Sequence, residues 1–458
     1  MTRLSTALTK LCWSTIGGDP RAADEVVFRG SGGFSSPFAV TDVASASIAT
    51  AALSISELLR EAHGVAASIV VDRRLSSMWF SGSLRPMGWH PPPGDPIAGD
   101  YPTSDGWIRL HTNAPSHRAV VERVLGVTGD RTAIAHAVAR WSKRDLEQSV
   151  VDAGGCAAEM RSMTQWQQHP QGQAVAAEPL VQLAMLDRVA TRSWPLSASR
   201  PLQGLRVLDL TRVLAGPIAG RFLAGHGAEV LRIDPPDWDE PSIVPEVTLG
   251  KRCARLNLRE PSARTTFEHL LCAADVLLHG YRPGALDRLG YDTLMRRRLS
   301  PGLVEVTLDA YGWTGPWATR RGFDSLVQMS SGIAECGMTR AGAQKPLPLP
   351  VQALDHATGY LMAATAIRGV TVRLTRGNGS TARLSLARTA QLVVDHPADP
   401  EETVLAGEVD ADRTELLELT DWGKARRLVP PVAIAGAPMQ WDFPARRLGS
   451  GVPRWLHY

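Results

Sequence analysis

The chain has 458 residues, 44% hydrophobic and 21% charged, enough for two or three domains with real cores. Lys and Arg total 49 against 46 Asp and Glu, and the net charge of +3 points to no nucleic-acid or membrane partner. The five cysteines (Cys12, Cys156, Cys253, Cys272, Cys336) are scattered, odd in number and lack C-x-x-C, a pattern against a disulfide framework or a structural zinc.

The first residues do not read as a signal peptide, and no apolar run reaches bilayer-spanning length, so a cytoplasmic protein is expected. Residues 1–36 are loosely patterned, Gly/Ser-rich at 29–36, and read as an arm. Residues 42–62 are Ala-rich with helical periodicity and stop before Gly64, 68–71 reads as a strand and 72–80 as a second helix. This unit has an echo. PFAVTDVASASIATAALSISELL (37–59) lies on LPVQALDHATGYLMAATAIRGV (349–370) with Asp42 opposite Asp355, and SIVVDRRLSSM lies on ARLSLARTAQL after a two-residue gap. Either the unit occurs twice or two Ala-rich helices resemble each other by chance.

Residues 99–126 read as a hairpin about Asp105-Gly106 followed by a helix, and 133–141 and 142–152 as further helices. PLSASRP (195–201), polar and bounded by prolines, reads as a join. After it, 207–210 reads as a buried strand, 211–216 as a tight turn, 217–225 as a helix and 229–233 as the next strand. That is a unit of an open parallel sheet, in which ligands bind beyond the carboxyl ends of the strands. The turn lacks G-x-G-x-x-G, so the usual dinucleotide fingerprint is absent. Lys251-Arg252 either contacts a phosphate or begins a strand, Arg296-Arg297-Arg298 reads as a solvated face, 375–381 as a Gly/Asn turn and 396–402 as a charged linker. Asp355 follows a loop with Pro346, Pro348 and Pro350 and precedes an Ala-rich helical run, near a helix N-terminus that favours an anion. On spacing alone it is a plain helix cap.

Four segments recur in a fixed order: HGYRPGALDRLG (279–290), GWTGP (312–316), RGFDSLVQMSSG (321–332) and ALDHATGY (353–360). The set resembles the family III CoA-transferases, also called the CaiB/BaiF family, which includes formyl-CoA and carnitine CoA-transferases and α-methylacyl-CoA racemases. The resemblance implies an α/β fold, a Rossmann-like parallel sheet with flanking helices plus a smaller α+β domain at about 99–192. The small domain precedes the Rossmann-like half here, and 430–447 resembles the family's closing strands, so the order is rearranged. The expected division is an arm at 1–36, the repeat unit and small domain at 37–195, the CoA-binding domain at 200–390, and a linker with closing strands of the large domain at 391–458. Interlocked dimers in the family imply a homodimer, or both parts folded within one chain.

The resemblance also implies an activity: transfer of CoA from an acyl-CoA to a carboxylic acid acceptor, with Asp355 as the nucleophile and no metal. CoA would be met by Arg212, Val213, Leu214 and Ala215 in the first turn and by Arg259, Tyr281, Arg282 and Arg288, cations and an aromatic suited to phosphates and adenine. Asp42 would be a vestigial second nucleophile or a helix cap, Gly332 a place of close backbone approach or of packing, and His356 a surface or supporting residue. The racemase branch uses a His in a GHD triplet; here the triplet is Gly322-Phe323-Asp324, and Phe cannot move a proton. Leu214 stands where formyl-CoA transferases carry Gln, and Pro91-Pro92-Pro93-Gly94 replaces a glycine-rich loop, which keeps a silent CoA-binding subunit as a third reading.

Overall fold

The computed structural model describes residues 2–189 and 197–456. An amino-terminal unit comes first: α1 (Thr2–Thr15), β1 (Val27–Arg29), α2 (Val40–His63), β2 (Ile69–Asp72) and α3 (Arg73–Ser81). After β3 (Leu84–Pro86), a small domain is built from hairpin β4 (Gly99–Thr103) and β5 (Gly106–Leu110). Helices α4 (Pro115–Leu125), α5 (Arg131–Val138) and α6 (Lys143–Asp152) pack on it, and β6 (Ala157–Glu159) completes its antiparallel sheet. Helices α7 (Met163–Gln168) and α8 (Pro170–Ala177) lead to β7 (Gln182–Arg188).

The large unit begins with β8 (Arg206–Leu210), α9 (Ala215–Gly225), β9 (Glu229–Asp234), α10 (Val244–Val247) and β10 (Lys251–Arg255). It continues with α11 (Pro261–Ala273), β11 (Val276–His279), α12 (Thr293–Leu299) and β12 (Val304–Asp309). Helices α13 (Asp324–Ser330), α14 (Ile333–Arg340) and α15 (Ala353–Arg376) precede β13 (Asn378–Ser385) and α16 (Leu386–Val394). Strands β14 (Glu418–Thr420), β15 (Gly423–Arg427) and β16 (Val432–Ile434) follow.

The seven-stranded sheet runs β10-β9-β8-β11-β12-β13-β7. Its first six strands are parallel and β7 is antiparallel to β13. Counted from β8, the parallel strands stand in the doubly wound order 3-2-1-4-5-6, with the switch point between β8 and β11. The fold is therefore α/β with a smaller α+β part. Helix α15 lies against both α2 and α9. Small residues fit α15 against α9 and against β13: a Cβ on Gly359 would stand 2.4 Å from the Ala215 carbonyl oxygen, and one on Gly369 would stand 2.6 Å from Ser380 Oγ.

The repeat is a structural fact. Helices α2 and α15 each have 24 residues and end at a left-handed glycine, Gly64 and Gly377. Asp72 then caps α3 through the Leu75 N–H, and Ser385 caps α16 through the Arg388 N–H. The pairs Asp42/Asp355, Gly64/Gly377 and Asp72/Ser385 keep one constant spacing, so the expected two-residue gap does not exist. Neighbours repeat too: β2 has β1 parallel on one side and β16 antiparallel on the other, as β13 has β12 and β7.

Several expectations are corrected. The arm is no arm: α1 sends Leu8, Cys12 and Trp13 into the core against α2. Helix α2 is long and apolar enough to cross a membrane by length and composition, contrary to the sequence reading, and 94% of its apolar window is buried inside the protein. The turn at 375–381 shrinks to Gly377, since β13 starts at Asn378. Arg296 is buried and paired with Glu305 (2.6 Å), because one side of α12 faces the sheet. The expected closing strands join the amino-terminal part, β16 on β2 and β15 on β3, and β7 belongs to the large sheet. The expected join at 195–201 begins outside the described residues.

Glu246 of α10 locks the large unit to the amino-terminal part. Its carboxylate accepts from Ser83 N (3.0 Å), Ser83 Oγ (2.8 Å) and Leu84 N (2.9 Å), and it pairs with Arg221 of α9 and Arg427 of β15 (3.1 Å). Burial alone would raise its pKa, but Arg221 and Arg427, with the Ser83 donors, hold it at about 2. This stability is present above the ordinary Glu value and is lost as pH falls from about 4.5 toward about 2. Glu246→Gln, which leaves buried Arg221 without a counter-charge and Arg427 with Glu418 alone, should cost about 3–5 kcal/mol at neutral pH. Thermal melts should show the gap to the parent closing below pH 4.5.

Candidate active site

The turn after β8 stands at the switch point, beyond the carboxyl ends of the strands. Val213 within it has φ 64°, the one positive value at a non-glycine among the described residues. A β-branched residue held there costs of order 1–3 kcal/mol, so neighbours must hold it. Glu240 is the holder: its Oε2 accepts the Val213 N–H (2.8 Å), and its carboxylate also takes Trp238 Nε1 (3.2 Å) and Arg232 Nη2 (2.5 Å). The Arg212 guanidinium lies over the Trp238 ring (4.7 Å) and the Tyr281 ring (5.3 Å), and its buried Nε has no hydrogen-bond partner. Leu214 and Ala215 are buried at the head of α9, where the Ala215 carbonyl meets Gly359 of α15.

That contact brings the turn within one helical turn of Asp355. Asp355 is the third residue of α15 and 6% exposed. Its backbone N–H donates to Asp324 Oδ2 (3.0 Å), and Asp324 Oδ1 accepts from Gln328 Nε2 (2.5 Å). Among the described residues neither carboxyl has an ion-pair partner. Burial pushes the Asp324 pKa up to about 6. Burial, then the charge of Asp324, raises that of Asp355 well above the carboxylate range. The two form a coupled pair that resists losing both protons.

The duplicate carboxyl has the opposite fate. Asp42, also third in its helix, accepts from Ser5 Oγ (2.5 Å) and pairs with buried Arg73, which also meets Glu402 (2.5 Å). It is neither a cap nor a free acid but one end of a buried ion pair. Arg73 opens α3, where its counterpart opening α16 is Leu386.

The other expected residues divide. Tyr281 joins Arg212, with Tyr281 Oη 3.4 Å from Arg212 Nη2. Arg282 and Arg288 are exposed near each other, and burial, then Arg321 and Arg288, lower the Arg282 pKa. Arg259 is exposed beyond β10, bonded within its own loop to Asn257, apart from the turn. Lys251 begins β10 and is fully buried, its Nζ 2.8 Å from Asp209 Oδ2, so it is not placed to meet a phosphate. His356 is buried rather than at the surface: it stacks on Phe80 (4.8 Å), and burial pushes its pKa down to about 3. Gly332 is a place of close backbone approach, since a Cβ there would stand 2.2 Å from the Met163 backbone nitrogen.

The sequence reading missed Glu240, Trp238 and Gln328, and missed Asp324 as the partner of Asp355. The acidic run DPPDWDE after β9 was the available signal for the first two. It also missed His111, which stacks face to face on Phe323 (3.7 Å), with His117 at the ring edge. Burial, then His117, lowers the His111 pKa to about 3, and burial, then Arg321, lowers that of His117 to about 4. No group of three or more potential metal ligands occurs among the described residues.

Fold and site together define a doubly wound α/β protein with a buried carboxyl pair beside its switch-point turn. Residues 202–412 match the family model described as CoA-transferase family III, the family that the four ordered segments resemble. The chain is 30% identical over 322 residues to an acyl-CoA transferase of Gibberella moniliformis, covering 64% of this chain and 56% of that protein. It is 35% identical over 191 residues to the acetyl-coenzyme A transferase nodX of Hypoxylon pulicicidum, covering 41% and 32%. The crystal structure of a hypothetical protein (Rv3272) from Mycobacterium tuberculosis matches at 31% identity over 43% of this chain and 56% of that one, with a TM-score of 0.38. The chain thus spans about half the length, or less, of such curated relatives.

Because both carboxyls have raised pKa values in the folded chain, the native state holds protons that the unfolded chain has lost. Stability should therefore fall as pH rises from about 4 toward 6. Asp324→Asn removes the like charge, lowers the Asp355 pKa and should flatten this slope. Thermal melts of both proteins between pH 4 and 7 check it, and an unchanged slope would show the pair to be uncoupled.

Proposed function

We propose that this chain transfers CoA from an acyl-CoA thioester to a carboxylic acid, with Asp355 as the nucleophile. The observation that carries this reading is the contrast within the repeat: one of two equivalent buried carboxyls is neutralised by Arg73, and Asp355 is left without a cation beside the switch-point turn. Names of relatives point the same way, including an acetyl-CoA:oxalate CoA-transferase of Acetobacter aceti.

The steps use one carboxylate throughout. Asp355 attacks the thioester carbonyl, the C–S bond breaks, and the CoA thiolate leaves with a mixed anhydride behind it. The thiolate attacks the aspartyl carbonyl and releases the first carboxylate, giving an aspartyl-CoA thioester. The acceptor carboxylate attacks that thioester, and the thiolate returns to the acceptor's acyl carbon, freeing Asp355. A raised pKa means that Asp355 must first give up its proton, a loss that its coupling to Asp324 resists. The Arg212–Trp238–Tyr281 cluster is the proposed seat of the CoA nucleotide, with Arg282 and Arg288 reaching its phosphates. Racemisation is disfavoured because Phe323, stacked on His111, has no proton to move. A cytoplasmic homodimer belongs to the same reading; the four buried free cysteines, Cys12, Cys156, Cys253 and Cys336, suit a reducing compartment.

Incubation with a panel of acyl-CoAs, with and without hydroxylamine, followed by peptide mass spectrometry tests the mechanism. A CoA or hydroxamate adduct on the Asp355 peptide is expected, and Asp355→Asn should lose the adduct and turnover by at least a thousandfold. CoA binding without an adduct would overturn the nucleophile. Arg212→Ala should raise KM for the donor at least tenfold with little change in kcat, measured by steady-state kinetics.

A further inference from the structure

The acyl end of the donor has no seat among the residues described so far. A cavity of about 150 Å³ lies where the loop before α2 meets the loop before α15. By the spacing of the repeat, Ser36 is equivalent to Leu349 and Pro37 to Pro350, and all four line the cavity. It therefore sits on the seam of the duplicated unit. Phe38 and Leu347 add to a wall that is apolar apart from Ser35 and Ser36, and among the described residues no charged side chain lines it.

This wall is tied to the carboxyl pair through one side chain. The Leu349 N–H donates to Gln328 Oε1 (2.7 Å), and the amide nitrogen of the same Gln328 holds Asp324, which in turn holds the Asp355 N–H. The wall is also preformed. The Leu347 N–H donates to the Ala334 carbonyl (3.1 Å), and Gly337 lets the Leu347 backbone close in, since a Cβ there would stand 2.2 Å from the Leu347 oxygen.

We propose that this cavity receives the hydrocarbon end of the donor's acyl group and so selects short apolar acyl-CoAs of about six carbons, straight-chain or aromatic. The inference rests on the CoA-transfer reading above. The size follows from the volume, since about 150 Å³ is the space that holds one benzene. The polarity follows from the lining, which is apolar apart from Ser35 and Ser36 and offers a tail-end carboxylate no cation. Diacid thioesters such as succinyl-CoA are therefore rejected as donors.

The test compares the parent with Leu347→Ala and Leu347→Trp; Leu347 is 42% exposed, so its side chain can change without opening the core. For acetyl-, butyryl-, hexanoyl-, octanoyl- and succinyl-CoA, kcat/KM in the parent should rise about fourfold per methylene up to about six carbons and then level off. Succinyl-CoA should be at least a hundredfold poorer than butyryl-CoA. Leu347→Ala should move the break to longer chains and Leu347→Trp to shorter ones. One profile shared by all three proteins, or a preference for succinyl-CoA, overturns the proposal. Calorimetry with CoA and hexanoyl-CoA reads the cavity without turnover: hexanoyl-CoA should bind at least tenfold tighter than CoA in the parent and no tighter in Leu347→Trp. Equal binding in the parent overturns the proposal, whereas that binding pattern without any turnover faults only the transfer reading.

Discussion

Helix α15 is wedged between α2 and α9, and the chemistry of the site depends on how close that wedge comes. Ordinary helix pairs stand 8–10 Å apart because side chains keep them there. Here Gly359 brings the Ala215 carbonyl against the α15 backbone, so the switch-point turn and the start of α15 become one surface. Asp355 is thereby sealed from water at the sheet edge where this fold class binds ligands. Burial then acts on its proton. Burial, and then the charge of Asp324, sets the ionisation of the carboxyl.

The repeat offers an internal control on that argument. Asp42 and Asp355 occupy the same helical position, are both buried, and follow the same backbone path into their helices. What separates them is the residue opening the next helix, Arg73 in one copy and Leu386 in the other. A guanidinium turns the first carboxylate into a structural anchor. Leucine leaves the second with only Asp324 for electrostatic company, and like charge resists ionisation. One difference in side chain divides the two copies into an ion-paired carboxylate and a carboxyl without a cation.

Much of this was legible in the sequence, for physical reasons. The strand–turn–helix at 206–225 shows because a doubly covered strand and a buried helix are both written almost wholly in apolar and small residues. The repeat shows because two buried helices of equal length need the same run of alanines. Asp355 could be placed, though only the family resemblance distinguished it from a cap. Its partner could not be placed: Asp324 lies on a separate helix, and spacing along the chain says nothing about which helix ends converge. The Arg296 error has the opposite cause. A run of three arginines looks solvated, but a helix turns 100° per residue, so one member faced the sheet and Glu305. In α1 the signal was present and underread: Leu4, Leu8 and Cys12 recur every four residues along its inner face.

The small sheet β1-β2-β16 joins a strand at residues 27–29 to one at 432–434. During synthesis, β2 must wait for nearly the whole chain before its second neighbour exists. At roughly 5–20 residues per second that wait is tens of seconds. Through it, the apolar face of α2 is also without α15, which is made some 300 residues later. The amino-terminal unit thus leaves the ribosome as an unfinished hydrophobic surface, and its native closure is a late event of long contact order. A cell making this chain must keep that surface from other unfinished chains until the second copy of the helix arrives to cover it.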